Sequence, residues 1–170
     1  MKQEIIIFEG EDRSGKTTIS IELSKQLNIP RFKVLRNKYF WDVFCNINYL
    51  DEGIMQIIEQ TKMSIIIDRW TPSDFVYSKL FDRDISYRKI WEIDKRLADM
   101  NAYLIICYKD ENKYLIDEED KDFVNPSMYK KMFNLYQEYS KLSKIKKILF
   151  LNTSDEHLRE QIQKIMQLLI

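Results

Sequence analysis

Glycine, proline, cysteine and histidine are all scarce here: three, three, two and one in 170 residues. With a single histidine and two cysteines there is no cluster from which a zinc-type site could be built. Cys107 lies in the apolar run AYLIICY and reads as a reduced core thiol, so a cytoplasmic setting is expected. Net charge is also missing. Lys plus Arg and Asp plus Glu are 27 each, which argues against a general nucleic-acid binder but leaves room for a small anion held in a local basic pocket. No apolar run approaches the roughly 20 residues of a membrane span. A strand begins almost at Met1, so no signal peptide is expected. Repeats, low-complexity tracts and Pro/Gly/Ser linkers are likewise missing, and residues 1–170 read as one domain. What remains is 45% hydrophobic and 32% charged, the balance of a folded globular chain.

Short apolar runs alternate with longer helical patterns. Glu4–Phe8, Lys33–Arg36, Ser64–Asp68, Ala102–Tyr108 and Ile148–Leu151 read as five strands. A helix follows the first strand to about Leu27, and a helix-rich stretch broken near Gly53 follows the second. Ile90, Ile93, Leu97 and Met100 share one helical face. So do Met128, Met132, Leu135 and Tyr139, and then Leu158, Ile162, Ile165 and Leu169. Strands apolar on both faces, alternating with amphipathic helices, predict an α/β fold: a parallel sheet covered by helices on both sides. Ligands of such sheets sit beyond the carboxyl ends of the strands, here after Phe8, Arg36 and Asp68.

Two of the three glycines fall in G-x-x-x-x-G-K-[ST], as Gly10, Gly15, Lys16 and Thr17. The spacing suits a loop whose backbone N–H groups wrap phosphates ahead of a helix N-terminus. Gly10, Ser14, Gly15, Lys16, Thr17 and Thr18 are the candidate ligands of the ATP phosphates, with Lys16 reaching the transferring group and Thr17 a magnesium ion. The guanine-reading N-K-x-D does not occur. Asp68-Arg69-Trp70 closes the third strand, where Asp68 can hold a magnesium-bound water and Arg69 can neutralise phosphate charge.

Phe8-Glu9-Gly10-x-Asp12-x-x-Gly15-Lys16-Thr17-Thr18 and Asp68-Arg69-Trp70-x-x-Ser73 resemble the two motifs of the thymidylate kinases. The resemblance implies a three-layer P-loop kinase fold with a five-stranded parallel sheet, ATP and Mg2+, a deoxynucleoside monophosphate acceptor with dTMP first, and a homodimer. It puts Asp12 near the sugar 3′-hydroxyl and Arg36 with Arg69 on the acceptor phosphate. Ser73 belongs to the second motif, and Tyr77 falls where a ribose 2′-hydroxyl would sit. One branch of the family carries a basic residue in the phosphate loop and lacks catalytic arginines in the lid. Arg13, with a lid near 109–122 that lacks arginine, follows that branch, so Arg13, Lys16, Asp68 and Arg69 are the catalytic candidates. The family's base-stacking F-x-x-x-R falls on Phe44 and Asn48.

Asn48 replaces the base-reading arginine, so the base stays open and a modified pyrimidine deoxynucleotide is admitted. Two other readings share the motif: a deoxynucleoside kinase, which needs a carboxylate base at the sugar 5′ position, and a nucleotide-binding protein without catalysis. Arg36-Asn37-Lys38 is basic and favours a phosphorylated acceptor.

Overall fold

Successive side chains of a strand point to opposite faces, and in β1 (Ile5–Gly10) both faces are apolar. Ile5 and Ile7 enter one core while Ile6 and Phe8 enter another on the far side of the sheet. The computed structural model describes residues 3–34, 47–110, 126–155 and 157–170, less the side chains of 47–49 and 126. After β1 come α1 (Lys16–Leu27), β2 (Arg31–Lys33), α2 (Ile47–Thr61), β3 (Ile65–Asp68) and α3 (Thr71–Leu80). They are followed by α4 (Tyr87–Asp99), β4 (Tyr103–Tyr108), α5 (Pro126–Leu142), β5 (Lys147–Asn152) and α6 (Leu158–Leu169).

All strand pairings are parallel, in the order β2-β3-β1-β4-β5. The chain leaves β1 toward one edge and, after β3, crosses to the other. The crevice of the sheet therefore opens beyond the carboxyl end of β1, at Gly10. Ile19 and Leu23 of α1 pack with Ile162 and Ile165 of α6 on one face. The other face is covered by Met55 and Ile58 of α2, Phe75 and Val76 of α3, Ile93 and Leu97 of α4, and Tyr136 and Tyr139 of α5. Each side chain of this size, moved from water into the core, stabilises by about 1.5–3 kcal/mol.

The expected α/β fold is observed, with two local corrections. The second strand is Arg31–Lys33 rather than Lys33–Arg36. It pairs only as far as its neighbour lasts: Lys33 lies opposite Asp68, the last residue of β3, and one further bond runs from Val34 N to Asp68 O at 3.2 Å. Gly53 does not break a helix; it sits inside α2. There Arg96 of α4 grips Glu52 and Glu59 on either side of it, with N–O distances of 2.7–2.8 Å. Packing of Ile54, Met55 and Ile58 adds to that clamp and overrides the weak helix propensity of glycine. Leu158, expected on the buried face of the last helix, is 36% exposed at its first turn. Arg36, Phe44 and most of the lid near 109–122 lie outside the described residues, as does the side chain of Asn48.

One buried polar cluster sets the position of α5. Asp94 of α4, fully buried, accepts bonds from Tyr139 Oη (2.8 Å), Ser143 Oγ (2.6 Å) and Lys144 N (2.6 Å). The carboxylate thus closes the carboxyl end of α5 and holds Tyr136, one turn before Tyr139, against β1.

Two glycine substitutions should have opposite outcomes. At Gly53 an added Cβ meets nothing within 4 Å, so Gly53→Ala should stabilise by about 0.5–1 kcal/mol, read by urea denaturation. At Gly10 the φ is +133° and a Cβ would lie 1.9 Å from the Cys107 carbonyl oxygen. Gly10→Ala should cost at least about 3 kcal/mol in the same measurement, because the clash is with backbone on an adjacent strand.

Candidate active site

The loop between β1 and α1 changes direction through left-handed residues: Gly10 (φ 133°), Arg13 (φ 62°) and Gly15 (φ 79°). Such alternation turns successive N–H groups toward one concavity, at the positive end of α1. The loop is braced from inside. Ser14 Oγ and Lys16 Nζ both donate to Glu11 O, at 2.8 and 2.7 Å. Thr153, just after β5, shares its hydroxyl between Ser14 O (2.8 Å) and Tyr108 O (3.0 Å), tying the loop to the ends of two strands. Ser14 and Lys16 are buried, whereas Arg13 and Thr18 are exposed.

The β1–β3 register sets Phe8 opposite Asp68, so the residues after both strands emerge side by side. Arg69 N bonds to Phe8 O at 2.9 Å. Arg69 itself has φ 68°, and its side chain turns back over the loop. One guanidinium nitrogen pairs with Asp12 Oδ1, and the other lies 3.3 Å from both Ser73 Oγ and Tyr77 Oη. Tyr77 donates to Asp12 Oδ2 at 3.1 Å. Four residues expected on the acceptor side (Asp12, Arg69, Ser73 and Tyr77) therefore meet at one spot beside the phosphate loop. On its other flank Thr17 Oγ1 donates to Asp68 Oδ2 at 2.8 Å.

Several residues that build this site were not singled out from the sequence. Glu9, wholly buried, accepts from Trp70 N (2.5 Å), Ser73 N (3.3 Å) and Ser73 Oγ. It thus caps the amino end of α3 from β1. Burial raises its carboxyl above the ordinary range, against the opposing pull of Ser73, Arg69 and the backbone donors. Tyr136 adds its hydroxyl, 3.3 Å from Gly10 O and 3.2 Å from Ser73 Oγ. Arg31 of β2 forms an ion pair with Asp68 Oδ2. Glu9 stands in the first motif and is a charge inside the otherwise apolar IIIFEG run, two signals that could have singled it out; nothing local marks Arg31.

Two further groups titrate unusually. Burial lowers Lys16 to about 8, with Arg69 adding to the effect. Burial also lifts Glu11 to about 8, although Lys109 N–H donates to it. Its Oε2 is buried without a hydrogen-bond partner among the described residues, which suits a protonated carboxyl.

No family model and no curated protein sequence matches the chain. Solved structures do. The chain superimposes on the YorR protein from Bacillus subtilis, in complex with phosphorylated GDP, with TM-score 0.76 and 22% identity over 97% of this chain and 95% of that one. Thymidylate kinase from Ehrlichia chaffeensis matches with TM-score 0.64 and 15% identity over 99% and 100%. Deoxyadenosine kinase from M. mycoides, with products dCMP and dCDP bound, matches with 0.57 and 20% over 97% and 98%. This is the P-loop kinase fold. In it the Gly10–Thr17 loop, the end of β3 and the start of α3 form one continuous rim at the switch point of the sheet.

The state of Glu11 can be read from stability alone. Its folded value of about 8 stands above the ordinary 4.5, so the folded protein holds a proton that the unfolded chain releases. Stability from this group is complete below pH 4.5 and is lost as pH rises to about 8. Glu11→Gln, always neutral, should match the wild type near pH 4.5 and exceed it by roughly 2–4 kcal/mol above pH 8. Denaturation curves at the two pH values check this; a constant difference between the proteins would contradict it.

Proposed function

We propose that the chain transfers the terminal phosphate of ATP to a deoxynucleoside monophosphate, most readily dTMP. The observation that carries this is the convergence of Asp12, Arg69, Ser73 and Tyr77 beside the Gly10–Thr17 loop, with the Asp68–Thr17 pair on its other flank. Phosphoryl transfer asks little covalent chemistry of a protein; it needs two phosphates held in line and their charge offset. In this reading the loop N–H groups and Lys16 hold the donor phosphates, and Arg13 supplies a mobile cation over the transferring group. Arg69 and Arg36 hold the acceptor phosphate, which is already an anion and needs a cation rather than a base. Asp12 and Tyr77 face the sugar, Tyr77 filling the space of a 2′-hydroxyl. Phe44 and Asn48 remain the candidates for the base, by resemblance.

The residues present fit a magnesium ion. Asp68 Oδ1 is buried without a hydrogen-bond partner among the described residues, and the Thr17 hydroxyl lies on the same carboxylate. Thr17 and Asp68 would hold the ion or its water, and bound there it would offset phosphate charge. The thymidylate kinase among the matching structures supports a nucleotide acceptor, whereas the deoxyadenosine kinase, with a monophosphate as product, stands with the nucleoside-kinase alternative. Among the described residues no helix is long and apolar enough to cross a membrane.

The test is ATP consumption by the purified chain with dTMP, thymidine and other pyrimidine deoxynucleotides. dTMP should be phosphorylated and thymidine should not; the reverse pattern would make the chain a nucleoside kinase. Lys16→Ala should lower turnover at least about a hundredfold with the fold intact. Arg13→Ala should lower kcat by about two decades while ATP affinity changes little, since its charge acts on the transition state. A wild-type rate in the Arg13 variant would move the cation to the lid.

A further inference from the structure

Asp68 is wholly buried, and its two oxygens are treated differently. Oδ2 is crowded by the Thr17 hydroxyl at 2.8 Å and the Arg31 guanidinium; Oδ1 has no hydrogen-bond partner among the described residues. Arg31 is anchored at a second point, since its Nε donates to Ser20 Oγ at 2.7 Å. Ser20, itself buried, donates to Thr17 O at 2.9 Å. The guanidinium therefore ties β2, the second turn of α1 and the end of β3 together, and its side chain is only 17% exposed. The planar fork of arginine lets Nε and a terminal nitrogen address two partners at once, which the single ammonium of lysine cannot do.

We infer that Arg31 is a positioning residue for the divalent cation: by saturating Asp68 Oδ2 it points Oδ1 at the cation site and suppresses binding of the bare ion. A carboxylate that shares its charge with a guanidinium attracts a free divalent cation weakly, because like charges oppose each other at this range. A cation that arrives already bound by nucleotide phosphates brings most of its ligands and its compensating charge, and needs from the protein only Thr17 and Asp68 Oδ1. The protein then takes up the metal with its nucleotide and leaves the free ion in solution.

The inference rests on Thr17 and Asp68 being the cation site, as in the proposed function, but its test involves no acceptor and no turnover. Mn2+ is titrated into the nucleotide-free protein, and the free ion is counted by electron paramagnetic resonance. Arg31→Gln should bind Mn2+ about tenfold more tightly than the wild type, from the loss of one nearby positive charge. Ser20→Ala, a milder change that frees Arg31 Nε, should give a gain of about two- to fivefold. Adding Asp68→Asn to Arg31→Gln should abolish the gain. Unaltered Mn2+ affinity in folded Arg31→Gln overturns the inference, and so does a gain that survives Asp68→Asn. Should Arg31→Gln fail to fold, Ser20→Ala decides: a gain supports the inference, and no gain overturns it. A wrong acceptor assignment would show in the phosphorylation assay and leave this titration unchanged.

Discussion

A buried carboxylate at the end of β1 organises everything around the phosphate loop. Glu9 cannot reach water, so its oxygens have to be satisfied from within, and they are satisfied by the amino end of α3 and by Ser73. That requirement locks the segment Arg69–Ser73 against the start of the Gly10–Thr17 loop. It also holds Arg69 in a left-handed conformation that a side chain adopts only when its surroundings demand it. With the backbone held so, the guanidinium falls over Asp12 and Tyr77. Tyr136 completes the enclosure from α5, and α5 is itself held by Asp94. The Asp12–Arg69–Tyr77 side of the site thus hangs on a chain of buried polar contacts running through four elements.

The electrostatics of this rim are local. A chain with 27 charges of each sign has no global field to draw an anion, yet Lys16, Arg69 and Arg31 lie close to Glu9, Glu11, Asp12 and Asp68 around one crevice. Burial pushes Lys16 down and Glu11 up toward the same pH, so part of the charge of the loop is set by proton occupancy rather than by composition. Paired in this way, the cations avoid bare desolvation.

Elements that follow from periodicity were legible from the residues: four of the strands to within one or two positions, and the amphipathic helices α4, α5 and α6. Gly53 and the second strand were not. A glycine lowers local helix propensity, but α2 survives it because Arg96, distant in sequence, bridges the turns on both sides. The second strand is three residues long and its extent is set by where β3 stops, a limit that no local pattern encodes.

By itself the sequence determined the turn from β1 into α1, because such a turn needs fixed spacing along a single stretch of chain: two glycines at left-handed positions ahead of a helix. It likewise determined the parallel, doubly covered sheet, since strands buried on both faces must be apolar throughout. Tertiary structure alone decided which charges face one another. Arg31 and Asp68 stand 37 residues apart, and Arg69 and Asp12 stand 57 apart. Each pair meets only because parallel register sets β2 and β1 beside β3: Arg31 stands two residues before Lys33, the register partner of Asp68, and Asp12 follows β1 as Arg69 follows β3. Ion pairs across a sheet depend on that register and on rotamers set by burial, and neither leaves a periodic trace in the chain.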